Sequence, residues 1–313
     1  MPPPVRFAAQ QGSARCPACQ KATRKPHPAP SRGPVTDSST DSSDPRLPAA
    51  QRPRVRAGIP RFATLRTITA LILREMSTSY GRSPGGYAWA ILEPAAGIAL
   101  LTALFSVGFR SPPLGVSFAM FYATGMLPFT LFTDITAKLG QAMNYSRQLL
   151  AYPRVTFLDA ILARFGLNLM TQLLVSYIVI GTILLVFETR VVMDGAVIAR
   201  AYGLAGLLAL GVGVFNCFMM LRFPLYQRFW SILMRPLFLL SCVFFLFDTI
   251  PEPYSNYLWY NPLVHLVGMM RHGFYPNYDA PYVSEAYVAG FGLVALVLGL
   301  MLLRRDHKNA LEM

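Results

Sequence analysis

Six long runs with almost no Lys or Arg constrain the fold of this chain more than any other feature. They cover residues 87–109, 117–137, 157–187, 197–221, 229–250 and 286–303. About 20 apolar residues let a helix cross the hydrocarbon of a bilayer. The runs are continuously apolar rather than alternating, which disfavours membrane-spanning strands. Backbone groups in lipid must also satisfy their own hydrogen bonds. The sequence therefore predicts an all-α integral membrane protein with six transmembrane helices.

The basic residues are concentrated on one side of the predicted spans. Of the 28 Lys and Arg residues, only Arg110, Arg190, Arg200 and Arg271 lie at the first, third and fifth connections. The other 24 precede the first span, flank the second or fourth connection, or follow the last span. Cytoplasmic segments carry such an excess of positive charge. We therefore predict that both termini are cytoplasmic, and we interpret the net charge of +13 as a topology signal rather than a nucleic-acid site.

The segments outside the spans have distinct compositions. Residues 1–60 are rich in Pro, Ser, Ala and Arg without apolar periodicity, which predicts a disordered cytoplasmic tail before a membrane domain at 61–313. In residues 62–80, apolar side chains recur every three or four positions, which predicts an amphipathic helix in the membrane interface. A plain cytoplasmic helix is the alternative. Residues 248–285 are dense in aromatics and predict short re-entrant or periplasmic helices before the last span.

No constellation for catalysis can be assembled from the sequence. It lacks a G-x-x-x-x-G-K-[ST] phosphate loop, an H-E-x-x-H motif and a G-x-S-x-G motif. Cys16 and Cys19 form a C-P-A-C pair with only His27 nearby, and His265 and His272 lack carboxylates at ligand spacing, so we predict no metal site. We expect no cofactor on this chain. A membrane-embedded glycosyl- or acyltransferase is the alternative from another class, and it would need an acid–base group facing a cavity.

Several side chains in or near the spans have two interpretations. Arg235 precedes Pro236 near the start of the fifth run and could hold an anionic headgroup or phosphate, or extend to the interface. Aromatic rings could anchor the helices, pack in the core, or stack on sugar rings along an export path. The aromatic candidates for such a path are Trp89, Phe105, Phe109, Trp230, Phe238, Trp259 and Tyr260. Ionisable residues near the cytoplasmic ends are expected to reach water or to pair, namely Glu93, Asp134, Asp159 and Arg164.

Ordered motifs from about residue 62 onward resemble one family. They are Leu73-Arg74-Glu75, Tyr80-Gly81-Arg82, Gly86-Tyr87-Ala88-Trp89-Ala90-Ile91-Leu92-Glu93-Pro94, Gly125-Met126-Leu127-Pro128-Phe129, Ala163-Arg164, Arg235-Pro236-Leu237, Ser241-Cys242, Ile250-Pro251 and Trp259-Tyr260-Asn261-Pro262-Leu263-Val264-His265. Together they resemble the capsular polysaccharide export permeases, which are the membrane subunits of ATP-binding cassette exporters of the ABC-2 type. The tail before residue 62 lies outside the resemblance.

The resemblance implies an assembly and a cargo. It implies a homodimer in the bacterial inner membrane with two copies of a separate ATPase subunit, where ATP and Mg would bind. A periplasmic co-polymerase or adaptor and an outer-membrane channel would complete the route. The implied cargo is a lipid-linked acidic polysaccharide, exported without nucleic-acid partners. The alternative is an ABC-2 permease for another cargo, namely O-antigen, teichoic acid or a small lipophile.

The resemblance also implies roles for individual residues. The helix at 62–80 would be an interfacial gate helix, and residues 141–153 would form a coupling helix seated in the ATPase. The implied coupling residues are Arg74, Glu75, Gln141, Arg147, Tyr152 and Arg154. Residues 251–283 would form a periplasmic gate containing Asn261, Pro262, His265 and Arg271. Members of the family have Glu three residues after the gate histidine, whereas this chain has Gly268, which puts any role of that carboxylate in doubt.

Overall fold

The computed structural model describes residues 63–79, 86–145, 156–189 and 191–312, all within one compact unit, Ala57–Met313. The α-helices with both ends in these ranges are α1 (Ala63–Ser79), α2 (Gly86–Gly108), α3 (Phe118–Gly140), α4 (Phe157–Val186), α5 (Gly195–Arg222), α6 (Tyr226–Leu240), α7 (Tyr254–Trp259), α8 (Pro262–Phe274) and α9 (Glu285–Glu312). The predicted tail at 1–60 lies outside the described residues, so its disorder stays a prediction.

Five helices in the described part of the chain are long and apolar enough to cross a membrane. They are α2, α3, α4, α5 and α9. Each begins within a few residues of a predicted apolar run, and the regular structure described is entirely helical. The prediction of an all-α integral membrane protein is confirmed. Helix α1 covers most of the segment predicted to be amphipathic, and its place in the membrane interface stays a prediction.

The fifth apolar run differs from the expected single span. Helix α6 has only 15 residues, which corresponds to about 22 Å at 1.5 Å per residue and falls short of the ~30 Å hydrocarbon thickness. Residues 241–246 form turns and bends instead of helix, and Cys242 has a positive φ of 56°. A non-glycine residue in this left-handed region does not continue a right-handed helix. The run at 229–250 is therefore a short helix followed by a non-helical segment, residues 241–246. That segment continues along α3, because the Phe238 ring lies 5.0 Å from the Phe129 ring and the Phe244 ring lies 6.5 Å from the Tyr122 ring.

Local capping residues explain where several helices begin. Asn261 accepts a hydrogen bond from the N–H of Leu263 at 3.1 Å, and Pro262 occupies the first turn of α8, where no N–H donor is needed. At the start of α4, Thr156 and Asp159 form a reciprocal capping box. These contacts fix the start of α4 and place the start of α8 beside the end of α6.

Helices α3 and α5 form the centre of the packed unit. Helix α3 is buried along most of its length and contacts α2, α4, α5 and α8. Helix α9 packs closely against α5, because a Cβ atom placed on Gly211 would lie 2.1 Å from the carbonyl oxygen of Gly292. Small residues allow this backbone approach between membrane helices. Helix α8 packs against both α3 and α5, and α1 packs against α4.

Candidate functional site

The N-terminus of α8 is joined to the C-terminal end of α6 by one side chain. The last four carbonyl oxygens of a helix receive no hydrogen bond from the helix itself and need donors from elsewhere. Asn261 Nδ2 donates to the carbonyl oxygen of Leu240 at 3.2 Å and to Ser241 Oγ at 3.3 Å. Because Asn261 also caps α8, the end of α6 and the start of α8 are held in one arrangement.

Arg271, near the other end of α8, holds the non-helical segment 241–246. Its side chain is fully buried. Nη1 donates to the carbonyl oxygen of Phe245, and Nη2 donates to that of Val243, both at 2.9 Å. The guanidinium carbon lies 4.3 Å from the centre of the Phe121 ring on α3. Within the described residues, no carboxylate lies within salt-bridge distance of this guanidinium, so two carbonyl dipoles and an aromatic face surround the charge.

Gly268 lies three residues before Arg271 and leaves no room for the glutamate that the family resemblance would suggest. A Cβ atom at this position would lie 2.4 Å from Tyr282 Oη and 2.9 Å from its Cζ. The Tyr282 ring fills the space beside α8 that a longer side chain would need. A tyrosine from the segment before α9 therefore lies against the point where a side chain at position 268 would begin.

His265 is buried in an aromatic cluster at the N-terminal half of α8. The N–H of Ser284 donates to Nδ1 at 3.2 Å, so Nε2 carries the proton and donates to the carbonyl oxygen of Trp259 at 2.8 Å. The rings of Trp259 and Tyr287 lie 5.1 and 5.3 Å from the imidazole centre. Burial lowers the pKa of His265 below its ordinary range. The neutral ring thus joins α8 to α7 and to the start of α9.

The aromatic candidates for an export path do not form one continuous row. Phe105 of α2 and Phe238 of α6 both contact Phe244, with ring centres 6.0 and 5.0 Å apart. Trp230 stacks on Tyr226 at 6.2 Å. Trp259 is partly buried in the His265 cluster, whereas Trp89, Phe109, Arg235 and Tyr260 are exposed. Phe109 stacks on Phe105 with ring centres 5.8 Å apart, and the rings of Trp259 and Tyr260 lie 5.7 Å apart. The structure therefore joins α2 to the segment after α6 and groups the candidates at separate places.

A second polar cluster lies near the predicted cytoplasmic ends of the helices. Glu75 of α1 pairs with Arg164 of α4, with Oε1 and Nη2 3.1 Å apart. Arg164 Nη1 also donates to the carbonyl oxygen of Gln141 at 3.4 Å. Two predicted coupling residues thus meet through Arg164, whose partners the sequence did not specify. Arg74 is exposed on α1, and Arg147, Tyr152 and Arg154 lie outside the described residues.

Further polar side chains make contacts whose partners the sequence did not specify. Gln172 of α4 donates a hydrogen bond to Asp134 of α3. The available signal was an amide inside a long apolar run. His272 Nδ1 makes a 2.7 Å hydrogen bond with the carbonyl oxygen of Tyr278, which gives this histidine a structural contact. No cluster of three or more His, Cys, Asp or Glu residues suited to a metal ion occurs in the described ranges. Cys16, Cys19 and His27 lie outside them.

A family model described as "ABC-2 type transporter" matches residues 66–275, from α1 through the end of α8. The chain belongs to this family. It is 33% identical over 245 residues to the polysialic acid transport protein KpsM of Escherichia coli, covering 78% of this chain and 95% of that protein. It is 26% identical over 245 residues to the capsule polysaccharide export inner-membrane protein CtrC of Neisseria meningitidis serogroup A, and 23% over 245 residues to BexB of Haemophilus influenzae, in each case covering 78% of this chain and 92% of the relative.

Family membership settles the general class of this ABC-2 protein. Together with the spanning-length helices, it identifies a multi-pass protein of the inner membrane that acts as a transport subunit rather than an enzyme. An ABC-2 membrane subunit works with an ATPase partner, which agrees with the missing phosphate loop.

Proposed function

We propose that this chain is the permease subunit of an ATP-driven exporter that moves lipid-linked capsular polysaccharide across the inner membrane. The observation that carries the proposal is the 33% identity to a polysialic acid transport protein over 95% of that protein's length. Proteins named for capsule polysaccharide export match over a similar share of the chain. ATP hydrolysis, with its Mg, takes place in the separate ATPase subunit.

The working unit is a homodimer with two ATPase copies, and its cargo passes to a periplasmic adaptor and an outer-membrane channel. The exposure of α6 is the observation that supports a dimer, because none of its side chains is buried within the described part of the chain. Its exposed residues include Ile232, Arg235 and Leu239. A second copy facing α2 and α6 would enclose a path that one copy leaves open. Both termini then lie in the cytoplasm, as the distribution of basic residues predicts.

The joined ends of α6 and α8 form the periplasmic gate in this proposal. Asn261 and Arg271 hold the non-helical segment 241–246, and Pro262 and His265 lie on the same short helix. Movement of α8 would carry that segment with it, since four hydrogen bonds connect them. The exposed ring of Tyr260 beside this gate suits contact with sugar rings, and Trp259 fixes the neighbouring loop through its 3.1 Å hydrogen bond to Tyr282.

The test is a deletion strain complemented with the chain. We expect loss of surface polysaccharide with accumulation of lipid-linked polymer in the cytoplasm, and recovery on complementation. A strain producing an ATPase subunit with its phosphate-loop lysine replaced is the matched control and should show the same defect. Normal surface polysaccharide in the deletion strain would overturn the proposal. Loss of O-antigen or teichoic acid with an intact capsule would identify the alternative cargo instead.

Arg235 allows a sharper test of the path. It lies on α6 one residue before Pro236 and is exposed. If its guanidinium contacts the anionic cargo, Arg235→Ala should reduce export at least fivefold without reducing membrane insertion. Arg228→Ala is the matched control, because Arg228 is also exposed and lies two turns earlier on the same helix. Unchanged export by Arg235→Ala would leave only an interfacial role for this side chain.

A further inference from the structure

Arg164 contacts elements that approach it from three directions. Its Nη2 lies 3.1 Å from Glu75 Oε1 on α1. Its Nη1 donates at 3.4 Å to the carbonyl oxygen of Gln141, the residue that ends α3. Its guanidinium carbon lies 4.4 Å from the centre of the Tyr145 ring, in the connection that follows α3. One buried side chain on α4 therefore joins α1, the end of α3 and the first residues of the connection between α3 and α4.

The chemistry of this cluster favours transmission of movement over simple surface pairing. The Arg164 side chain is only 8% exposed and Glu75 only 27%. Electrostatic attraction is stronger in such surroundings than in bulk water. The planar guanidinium also fixes the directions of its donors, so a shift of one partner reorients the contacts to the others. A solvated ion pair could absorb the same shift by changing rotamers.

We propose that Arg164 is a positioning residue that couples displacement of the connection after α3 to α1. The inference rests on the proposed function, because in that function the ATPase subunit contacts the connection after α3. When the connection moves, Gln141 and Tyr145 shift the guanidinium, and the ion pair draws Glu75 with it. Helix α1 then moves along α4, against which it packs. Nothing in this role requires Arg164 to touch the cargo.

The test uses the full exporter, with this chain and its ATPase subunits produced together in the deletion strain. Glu75→Gln keeps the shape of the side chain and removes the charge. We expect surface polysaccharide per ATP hydrolysed to fall at least fivefold, while chain abundance and ATPase activity in membrane vesicles stay within twofold of wild type. Arg164→Lys, which keeps the charge and loses the planar fork, should give the same separation of hydrolysis from export.

A matched control and a spectroscopic measurement separate coupling from general stability. Glu285→Gln breaks the exposed ion pair with Arg200, whose Nη1 and Oε1 are 2.8 Å apart, and should leave export per ATP unchanged. A spin label at the exposed Leu73 of α1, on a cysteine-free background, should change mobility when a non-hydrolysable ATP analogue is added. We expect Glu75→Gln to abolish that change.

Two outcomes would overturn the inference without touching the proposed function. One is a wild-type ratio of export to hydrolysis, with a wild-type spin-label response, in Glu75→Gln. The other is a loss of export that only parallels a loss of chain abundance or ATPase activity, which would make the pair merely structural. Failure of the wild-type chain itself to restore surface polysaccharide would instead refute the proposed function.

Discussion

Replacing Arg271 by Met tests whether α8 holds the non-helical segment 241–246 that follows α6. Methionine retains an unbranched apolar stem but donates no hydrogen bond. The change leaves the carbonyl oxygens of Val243 and Phe245 without their 2.9 Å donors and removes the charge from the face of the Phe121 ring. Each unpaired buried carbonyl costs about 1–3 kcal/mol, and the lost cation–π contact costs roughly 0.5–2 kcal/mol. Removing a buried charge returns part of this, since its desolvation costs several kcal/mol.

From these terms we expect Arg271→Met to lower the free energy of unfolding by about 3 kcal/mol. Equilibrium unfolding in mixed micelles measures that loss. Labelling of Cys242 by a maleimide reports the site directly, because this residue is 1% exposed and lies inside the non-helical segment 241–246. If the loss appears as local opening, 3 kcal/mol corresponds to a labelling rate about 100-fold faster than wild type, at 1.4 kcal/mol per factor of ten.

Arg200→Met is the control for removing an arginine. It breaks an exposed ion pair, and exposed pairs contribute about 0–1 kcal/mol. An Arg271→Met protein that unfolds within 1 kcal/mol of wild type and labels Cys242 at the wild-type rate would refute the reasoning. Arg271 would then be a buried charge whose hydrogen bonds merely offset its own desolvation.

Three further predictions concern the same packed unit. The pKa of His265 in the folded protein lies below its ordinary value of about 6.5, so the unfolded chain binds more protons than the folded protein at pH values between the two. The stability that depends on neutral His265 is therefore fully present above this pH interval and falls as the pH decreases through it. His265→Gln should flatten this slope in pH-dependent unfolding. Gly268→Glu should cost about 1–3 kcal/mol through its clash with Tyr282, and in a double-mutant cycle with Tyr282→Ala the double variant should be more stable than the two single losses predict. Gly211→Ala should cost at least ~2 kcal/mol, because its Cβ would meet backbone of α9, whereas Gly203→Ala, on an open face of α5, should gain roughly 0.5–1 kcal/mol in thermal unfolding.

The predicted helices agree with the structure where the bilayer environment alone requires a helix. A run of about 20 uncharged residues has few alternatives to a helix in a bilayer, because its backbone must pair internally. This reasoning places α2, α3, α4, α5 and α9 within a few residues of the predicted runs. It also places the short helices before the last span, since residues 248–285 are too polar to cross.

The pairing of polar side chains could not be predicted in the same way. In the sequence, Arg164 is a charged residue near the end of a predicted helix, and its partner could be water, lipid or another side chain. Its partner Glu75 lies 89 positions earlier, and only the packing of α1 against α4 brings the two within 3.1 Å. Gln172 was not singled out, because one amide in an apolar helix gives no indication of which neighbouring span carries its acceptor.

The sequence alone determined that the chain is a helical membrane protein of the ABC-2 type. Apolar length, charge distribution and motif order can be found in the sequence without knowing how the helices pack. Tertiary structure decided where the helix in its fifth apolar run ends. Residues 241–246 contain neither Gly nor Pro, yet the helix ends at Leu240. The freed carbonyls are stable there because Asn261 and Arg271, distant in sequence, supply the donors. The local composition permits a continuous helix, and the hydrogen bonds from α8 stabilise the break.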